Sequence, residues 1–220
     1  MQASPTKRAR ADADKHQRRQ DILRAASQAF ADQPFAAVTM ADVAQRAGLA
    51  KGTVYLYYTT KEALFLHLVT EALDAWFAEV AEALTRERAQ LGPEALAELL
   101  VRTLAAREEL TRLLSILHPV LEQNIADELA LGFKQRLREQ TAAAGEHIER
   151  RFLDFAPGDG VRFLLRLHAV TIGLHAMARP SPSVARILAR PELAALRVDF
   201  AAELQAVVAA LLRGWRSPAT

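Results

Sequence analysis

Residues 39–61, TMADVAQRAGLAKGTVYLYYTTK, constrain this chain more than any other stretch. Thr39 is a natural N-cap, and Asp42, three residues on, can return a bond to its amide. Met40, Val43, Ala44 and Ala47 then fall at helical spacing and give one short apolar face. Gly48 stands where a left-handed C-cap is wanted, and Leu49 can fold back onto that face. A second short helix, Lys51 to Tyr57, buries Val54 and Tyr58 at i, i+4 and turns Lys51, Thr53, Tyr55 and Leu56 away. Thr59 is placed to start the next helix, with Glu62 as its capping-box partner. The pattern predicts a helix-turn-helix, in which the second helix enters the major groove and the first crosses the backbone.

The run A-D-V-A-x-x-A-G-L-x-K-G-T-V-Y-x-Y-Y-x-x-K-E-A-L, with DILRAASQAF (residues 21–30) ahead of it, resembles the DNA-binding signature of the TetR family of bacterial transcriptional regulators. The resemblance covers roughly a quarter of the chain and involves many positions at fixed spacing. It implies an all-α homodimer, with an N-terminal three-helix helix-turn-helix DNA-binding head followed by a larger helical ligand-binding and dimerisation domain. Carried over position by position, it places Lys51, Gly52, Thr53, Tyr55, Leu56, Tyr57 and Lys61 at the DNA, with Thr39 at the backbone. Lys51 and Lys61 would supply charge to phosphates, and Gly52 would let the helix start approach closely. Thr53 and Tyr55 carry hydroxyls that can reach a phosphate or a base edge, whereas Tyr58 is read as core. The chain departs from the family pattern twice. Ala50 takes the N-cap of the recognition helix, where Ser or Thr is usual. Leu56 replaces a commonly polar residue, so apolar contact with a thymine methyl would stand in for a hydrogen bond there.

Ala, Leu, Arg and Glu dominate the 220 residues, and glycine and β-branched residues are few, which also points to an all-helical fold. There is no cysteine, so disulfides, thiolate catalysis and cysteine-ligated zinc are excluded, in keeping with a reducing cytoplasm. No apolar run reaches the length of about 18 residues that a membrane span needs, and no signal-peptide core is visible. Net charge is only +2, but residues 1–67 hold ten Lys/Arg against six Asp/Glu, and the remainder eighteen against twenty. The basic excess lies beside the helix-turn-helix, where phosphate neutralisation would use it.

Three regions are expected: a disordered basic arm over 1–14, a DNA-binding domain over 15–62 and a helical body over 63–220. Helix 1 is expected from about His16 to Asp32 and helix 4 from about Thr60 to Arg88, long enough to bridge head and body. Gly92-Pro93 opens helix 5. Helices 5 and 6 reach Leu117 with a soft break near Arg107, and helix 7 follows from Pro119 to about Phe152, breakable at Gly132 or Gly145. After the APGDG loop (residues 156–160) come helix 8, about Val161 to Ala178, a Pro-rich linker, and a last helix from about Glu192 to Trp215.

On helix 8, Ala169, Gly173 and Ala176 form a strip of small residues that permits close approach of a partner helix. Phe200, Leu204, Val207 and Leu211 would supply the apolar seam of the last helix, giving a four-helix bundle across a dimer. His168, Thr171 and His175 share another face of helix 8. If the strip meets the partner, this face points into its own subunit, toward Trp76, His118 and Glu122, a few polar groups among large apolar ones. The alternative is that both histidines are satisfied core or interface residues. No phosphate-cradling glycine loop, His-Glu-x-x-His or serine elbow occurs, so neither enzyme activity, metal nor cofactor is expected. The reading is a ligand-responsive transcriptional regulator, a repressor, binding a near-palindromic double-stranded DNA operator as a homodimer and released by a small-molecule effector. An activator of the same family, or a DNA-independent helical adaptor, are the alternatives.

Overall fold

The first helix, α1 (Pro5–Asp32), begins well before the expected position near His16. The computed structural model describes the backbone of residues 5–215 and the side chains of residues 13–215. Residues 5–14, expected as a disordered arm, are therefore helical, while residues 1–4 lie outside the described residues. Proline is favoured at the first helical position, and the alanines and arginines after it are strong helix formers. A high density of charge does not by itself separate a solvated helix from a solvated coil.

Helix α2 (Met40–Arg46) opens with the expected capping box. The Asp42 amide donates to the Thr39 hydroxyl oxygen at 3.2 Å, and the Thr39 amide donates to the Asp42 carboxylate at 2.9 Å. It closes as expected too: Gly48 has φ +66°, and the Leu49 amide reaches back to the Ala44 carbonyl at 2.9 Å. Helix α3 (Lys51–Tyr55) is shorter than expected, with Leu56 as its C-cap and Ala50 as an N-cap without a side-chain bond. Helix α4 (Lys61–Arg86) is capped by Thr60, whose hydroxyl accepts from the Ala63 amide at 3.0 Å. Thr59 is not the cap. The shift by one residue puts Ala63 rather than Glu62 at the third position, so no capping box forms.

Ile22, Leu23, Ala26 and Phe30 of α1 meet Val43, Val54, Tyr58 and Phe65 in the core of the head. Phe65 is fully buried, between Phe30 and Phe35 in edge-to-face contacts at 5.4 and 4.9 Å. Burying a side chain of that size contributes on the order of 2–3 kcal/mol. The same core continues along α4 through Leu73, Trp76, Val80 and Leu84 into the body.

The body adds α5 (Pro93–Ala105), α6 (Glu108–Leu117), α7 (Asp127–Glu149), α8 (Asp159–Ala178), α9 (Pro182–Leu188) and α10 (Phe200–Arg213). Helices α5, α6 and α7 flank α4, α8 lies against α7, α6 and α10, and α10 closes over α5. Helix α7 starts later than expected because His118 to Ala126 form a connector with one 3-10 turn, Leu121–Gln123. Gly132 and Gly145 do not break α7. Gly145 instead lets α8 approach: a Cβ on Gly145 would lie 2.9 Å from the Val161 amide nitrogen, and one on Gly160 would overlap the Gly145 carbonyl. Helix α10 begins at Phe200, capped by Asp199, because Pro191 to Leu196 form a 3-10 turn.

Helix α8 is long and apolar enough, by length and composition alone, to cross a membrane, unlike the expectation from the sequence. One side holds Phe163, Leu164, Leu167, Thr171 and His175 inside the bundle, and the other leaves Leu165 and Met177 exposed.

Candidate functional site

Helix α3 hangs on the head by Val54 and Tyr58, which are 0% and 6% exposed. That anchoring turns the rest of the helix outward. Lys51 and Gly52 are exposed, Tyr55 is 42% exposed and Leu56 84%. An 84% exposed leucine at the tip of a small domain has no role in that domain's own core. Thr53 and Tyr57 are half-buried, and Tyr57 lines a groove between head and body with Arg19, Tyr58, His67 and Phe133. Lys51 lies 5.9 Å from the Tyr55 ring centre, so both present one cationic and aromatic surface. Thr39 is exposed, but its hydroxyl donates to Asp42 at 2.7 Å. The Asp42 carboxyl is held below its ordinary pKa by that bond and by the Thr39 amide.

Lys61 is turned away from this surface. Its ammonium group donates to the carbonyl oxygens of Phe35 and Val38 at 2.8 and 2.9 Å and lies 4.1 Å from the Phe35 ring centre. The expected phosphate contact is corrected: Lys61 closes the loop between α1 and α2. Sequence position alone could not show this, since both accepting carbonyls lie more than twenty residues upstream.

Tyr58 and His67 extend the head's polar contacts. Burial raises the Tyr58 pKa, and its hydroxyl shares a hydrogen bond with His67 Nδ1 at 2.7 Å. Burial likewise lowers the pKa of His67. A second link between head and body comes from α6, where Arg112 donates to the Phe30 carbonyl at 2.6 Å and stacks 4.2 Å from the Phe30 ring. Phe30 lies in the last turn of α1, whose carbonyls have no helical partner.

The body holds a cavity of about 160 Å³ lined from α4, α5, α6, α7 and α8. Trp76, His118, His168 and Thr171, four of the expected ligand residues, line it. The Trp76 indole N–H donates to Thr103 at 3.0 Å, so tryptophan offers only its ring. Glu122 stands behind the wall: it accepts from Lys134 at 2.6 Å and from His118 Nδ1 at 3.1 Å. Burial pushes the Glu122 carboxyl up, but the bonds from Lys134 and His118 outweigh it and hold the pKa below its ordinary value. His118 and His168 meet Nε2 to Nε2 at 3.0 Å. Burial, helped by the positive charges nearby, pushes His168 down to about 4.

His175 does not reach the cavity, which corrects the expectation for it. It lies seven residues beyond His168, some 10 Å further along the helix axis. There it meets the Phe200 ring edge-to-face at 5.8 Å, and burial lowers its pKa. Sequence reasoning also missed Lys134, Leu137 and Thr141 of α7 and Leu73 and Phe77 of α4 in the wall. The i, i+4, i+8 spacing of Phe133, Leu137 and Thr141 was the available signal.

Ala169, Gly173 and Ala176 are all exposed on the outer face of α8, as the small-residue strip requires. On α10 the expected seam divides. Phe200, Val207 and Leu211 are half-buried at the edge of the subunit, but Leu204 is fully buried with Val208 and Leu212 within the subunit. Leu204 is therefore corrected from interface to core. Helix α5 covers that side of α10, and nothing local in the sequence announces a partner a hundred residues away. The outer face carries Ala202, Ala206 and Ala210 instead.

Residues 22–68 match the family model described as bacterial regulatory proteins, tetR family, and residues 70–219 match the tetracyclin repressor-like C-terminal domain. The HTH-type transcriptional regulator YfiR of Bacillus subtilis is 37% identical over 60 residues, which make up 27% of this chain and only 29% of that relative. Among solved structures, the fatty acid degradation regulator FadR of Bacillus halodurans is similar at a TM-score of 0.55 and 19% identity, covering 96% of each chain. FadR of Bacillus subtilis, solved with stearoyl-CoA, is similar at a TM-score of 0.54 and 17% identity over 89% of this chain and 97% of that one. Identities this low speak for a shared fold.

Proposed function

The chain belongs to the TetR family of bacterial transcriptional regulators, and from that premise we propose that it is a repressor, holding a near-palindromic operator as a homodimer until a small molecule enters the body. The observation that carries the reading is α3: Val54 and Tyr58 lock it into the head while Lys51, Tyr55 and Leu56 face outward. Such a helix reads base edges from the major groove, with the lysine on a phosphate and Leu56 on a thymine methyl. Gly52, exposed at its first turn, and Thr53, half-buried beside it, complete the surface.

A homodimer supplies the second recognition helix, about 34–36 Å away along one turn of DNA. The exposed small residues of α8 and the alanine face of α10 support a bundle formed with their symmetry mates. Repression is then steric. The apolar cavity of the body supports effector control, since a ligand preferring the subunit shape with the wrong spacing shifts the dimer off its operator.

Selection of genomic fragments on the immobilised protein, followed by footprinting, tests this directly. Two protected half-sites one turn apart are expected, with Lys51→Ala and Tyr55→Phe each binding more weakly. Failure to enrich any duplex, or unaltered binding by both variants, would remove α3 from the DNA interface.

A further inference from the structure

The groove between head and body lies apart from the body cavity and, at about 430 Å³, is the roomier space. Its wall is largely apolar and aromatic. Ala63, Leu66 and Phe133 line it as buried residues, while Tyr57 is half-buried and Leu129 is 40% exposed. Arg19, His67 and Arg136 bring polar groups to the same groove.

The charges around it are matched with one exception. Arg136 donates from Nε to the Asp74 carboxylate at 2.9 Å. The Glu71 carboxylate accepts from Gln20 at 2.9 Å and lies 3.8 Å from His67 Nε2. Arg19 forms no ion pair among the described residues, and its Nε is buried without a hydrogen-bond partner. Its positive charge acts on Tyr58 and His67, favouring loss of a proton from each. Neither supplies an anion at neutral pH, since burial raises the Tyr58 pKa and an imidazole that loses its proton is neutral. An arginine beside an apolar wall with no carboxylate of its own is an incomplete arrangement, because a guanidinium leaves water readily only for a fork-matched anion.

Gly132 is a second sign. It lies inside α7 with no packing reason for a glycine, since a Cβ there would meet nothing within 4 Å. Glycine within a helix weakens it relative to alanine. Here it leaves the α7 side of the groove bare.

We propose that the groove is a binding site for an amphipathic organic acid, whose carboxylate pairs with the Arg19 guanidinium and whose apolar tail lies along Tyr57 and Leu129, past the open space at Gly132. The two halves are needed together. A neutral tail leaves the guanidinium without its anion, and a small anion leaves the apolar wall in water. The site is separate from the body cavity and does not depend on the effector reading given above.

Calorimetric titration of the full chain at neutral pH with octanoate, octan-1-ol and acetate tests the assignment. Saturable binding of octanoate, one per chain and lost on adding salt, is expected, with the alcohol and acetate weaker by roughly tenfold or more. In Arg19→Gln the advantage of octanoate over octan-1-ol should vanish. Gly132→Leu fills the groove from α7 without touching the arginine: it should raise the unfolding temperature yet weaken octanoate roughly tenfold or more. Failure of octanoate to bind overturns the proposal, as does equal or tighter binding of octan-1-ol or acetate. Octanoate held with parent affinity by Arg19→Gln or by Gly132→Leu would place the acid in the body cavity and also overturn it. Operator affinity that falls in Arg19→Gln while octanoate leaves the parent unbound would assign the guanidinium to a DNA phosphate instead.

Discussion

Lys61 directs its ammonium protons at the Phe35 and Val38 carbonyls, so its substitution is a stability experiment rather than a DNA-binding one. Lys61→Met should lower unfolding free energy by about 1–3 kcal/mol, the cost of orphaning partly buried acceptors. Operator affinity of the folded fraction, and its salt slope, should stay at the parent value. A shallower salt slope in Lys61→Met would return this lysine to the phosphates. His168 makes a prediction in pH. Its folded pKa of about 4 lies below the 6.5 of a free imidazole, so between those values the unfolded chain binds more protons. Stability is complete above pH 6.5 and is lost as pH falls toward 4, by at most about 3 kcal/mol for this group. The charged and titratable groups facing it are His118, Lys134 and Glu122. His67, His147 and His175 are shifted the same way, so the contribution of His168 is the difference between parent and His168→Gln in denaturant titrations at pH 7 and pH 4.5. Parallel losses in the two proteins would show that His168 is not held neutral.

Helix α3 presents one apolar residue to its target, and Leu56→Ala is expected to relax base preference at one T-containing position while leaving the fold intact. A position-by-position binding matrix in which no column loosens would end the thymine-methyl reading. The turn that orients α3 was fully legible because its determinants are local: Thr39 with Asp42, Gly48 with Leu49, and Val54 with Tyr58 all lie within five residues of one another. Bridging helix α4 and the glycine-proline start of α5 were legible for the same reason. What escaped was non-local. Leu204 has the same i, i+4 periodicity whether α5 of its own subunit or a partner helix covers it, and only the tertiary arrangement chooses. Trp76, His118, His168 and Thr171 line the cavity, whereas His175 misses it because it lies two turns further along α8. Lys134 and Thr141, also in the wall, sit on α7, whose i, i+4, i+8 spacing marks an inward face but not what that face meets.

Across the whole molecule, α6 touches both functional regions. Leu114, Leu117 and His118 toward its C-terminal end wall the cavity, and Arg112 at its middle grips the last turn of α1. Arg112→Met should bind operator and ligand separately as the parent does, yet need roughly tenfold more ligand for release, within the usual range of coupling energies. Parent-like release in an operator titration would place the coupling elsewhere. At the level of assembly, Gly173→Leu is expected to convert dimer to monomer in sedimentation and to weaken operator binding in parallel. A variant that sediments as dimer would move the interface off the outer face of α8. The chain's two tryptophans fall in different places within this arrangement. Trp76 is part of the cavity wall, while Trp215 lies 4.8 Å from Phe155 and under Arg166 at 4.4 Å, where the end of α10 meets α8. Both indoles are shielded from solvent, at 5% and 3% exposure. The molecule therefore contains two natural fluorophores: the emission of one reports on occupancy, that of the other on the α8–α10 seam, and the single-tryptophan proteins Trp76→Phe and Trp215→Phe would let each be recorded alone.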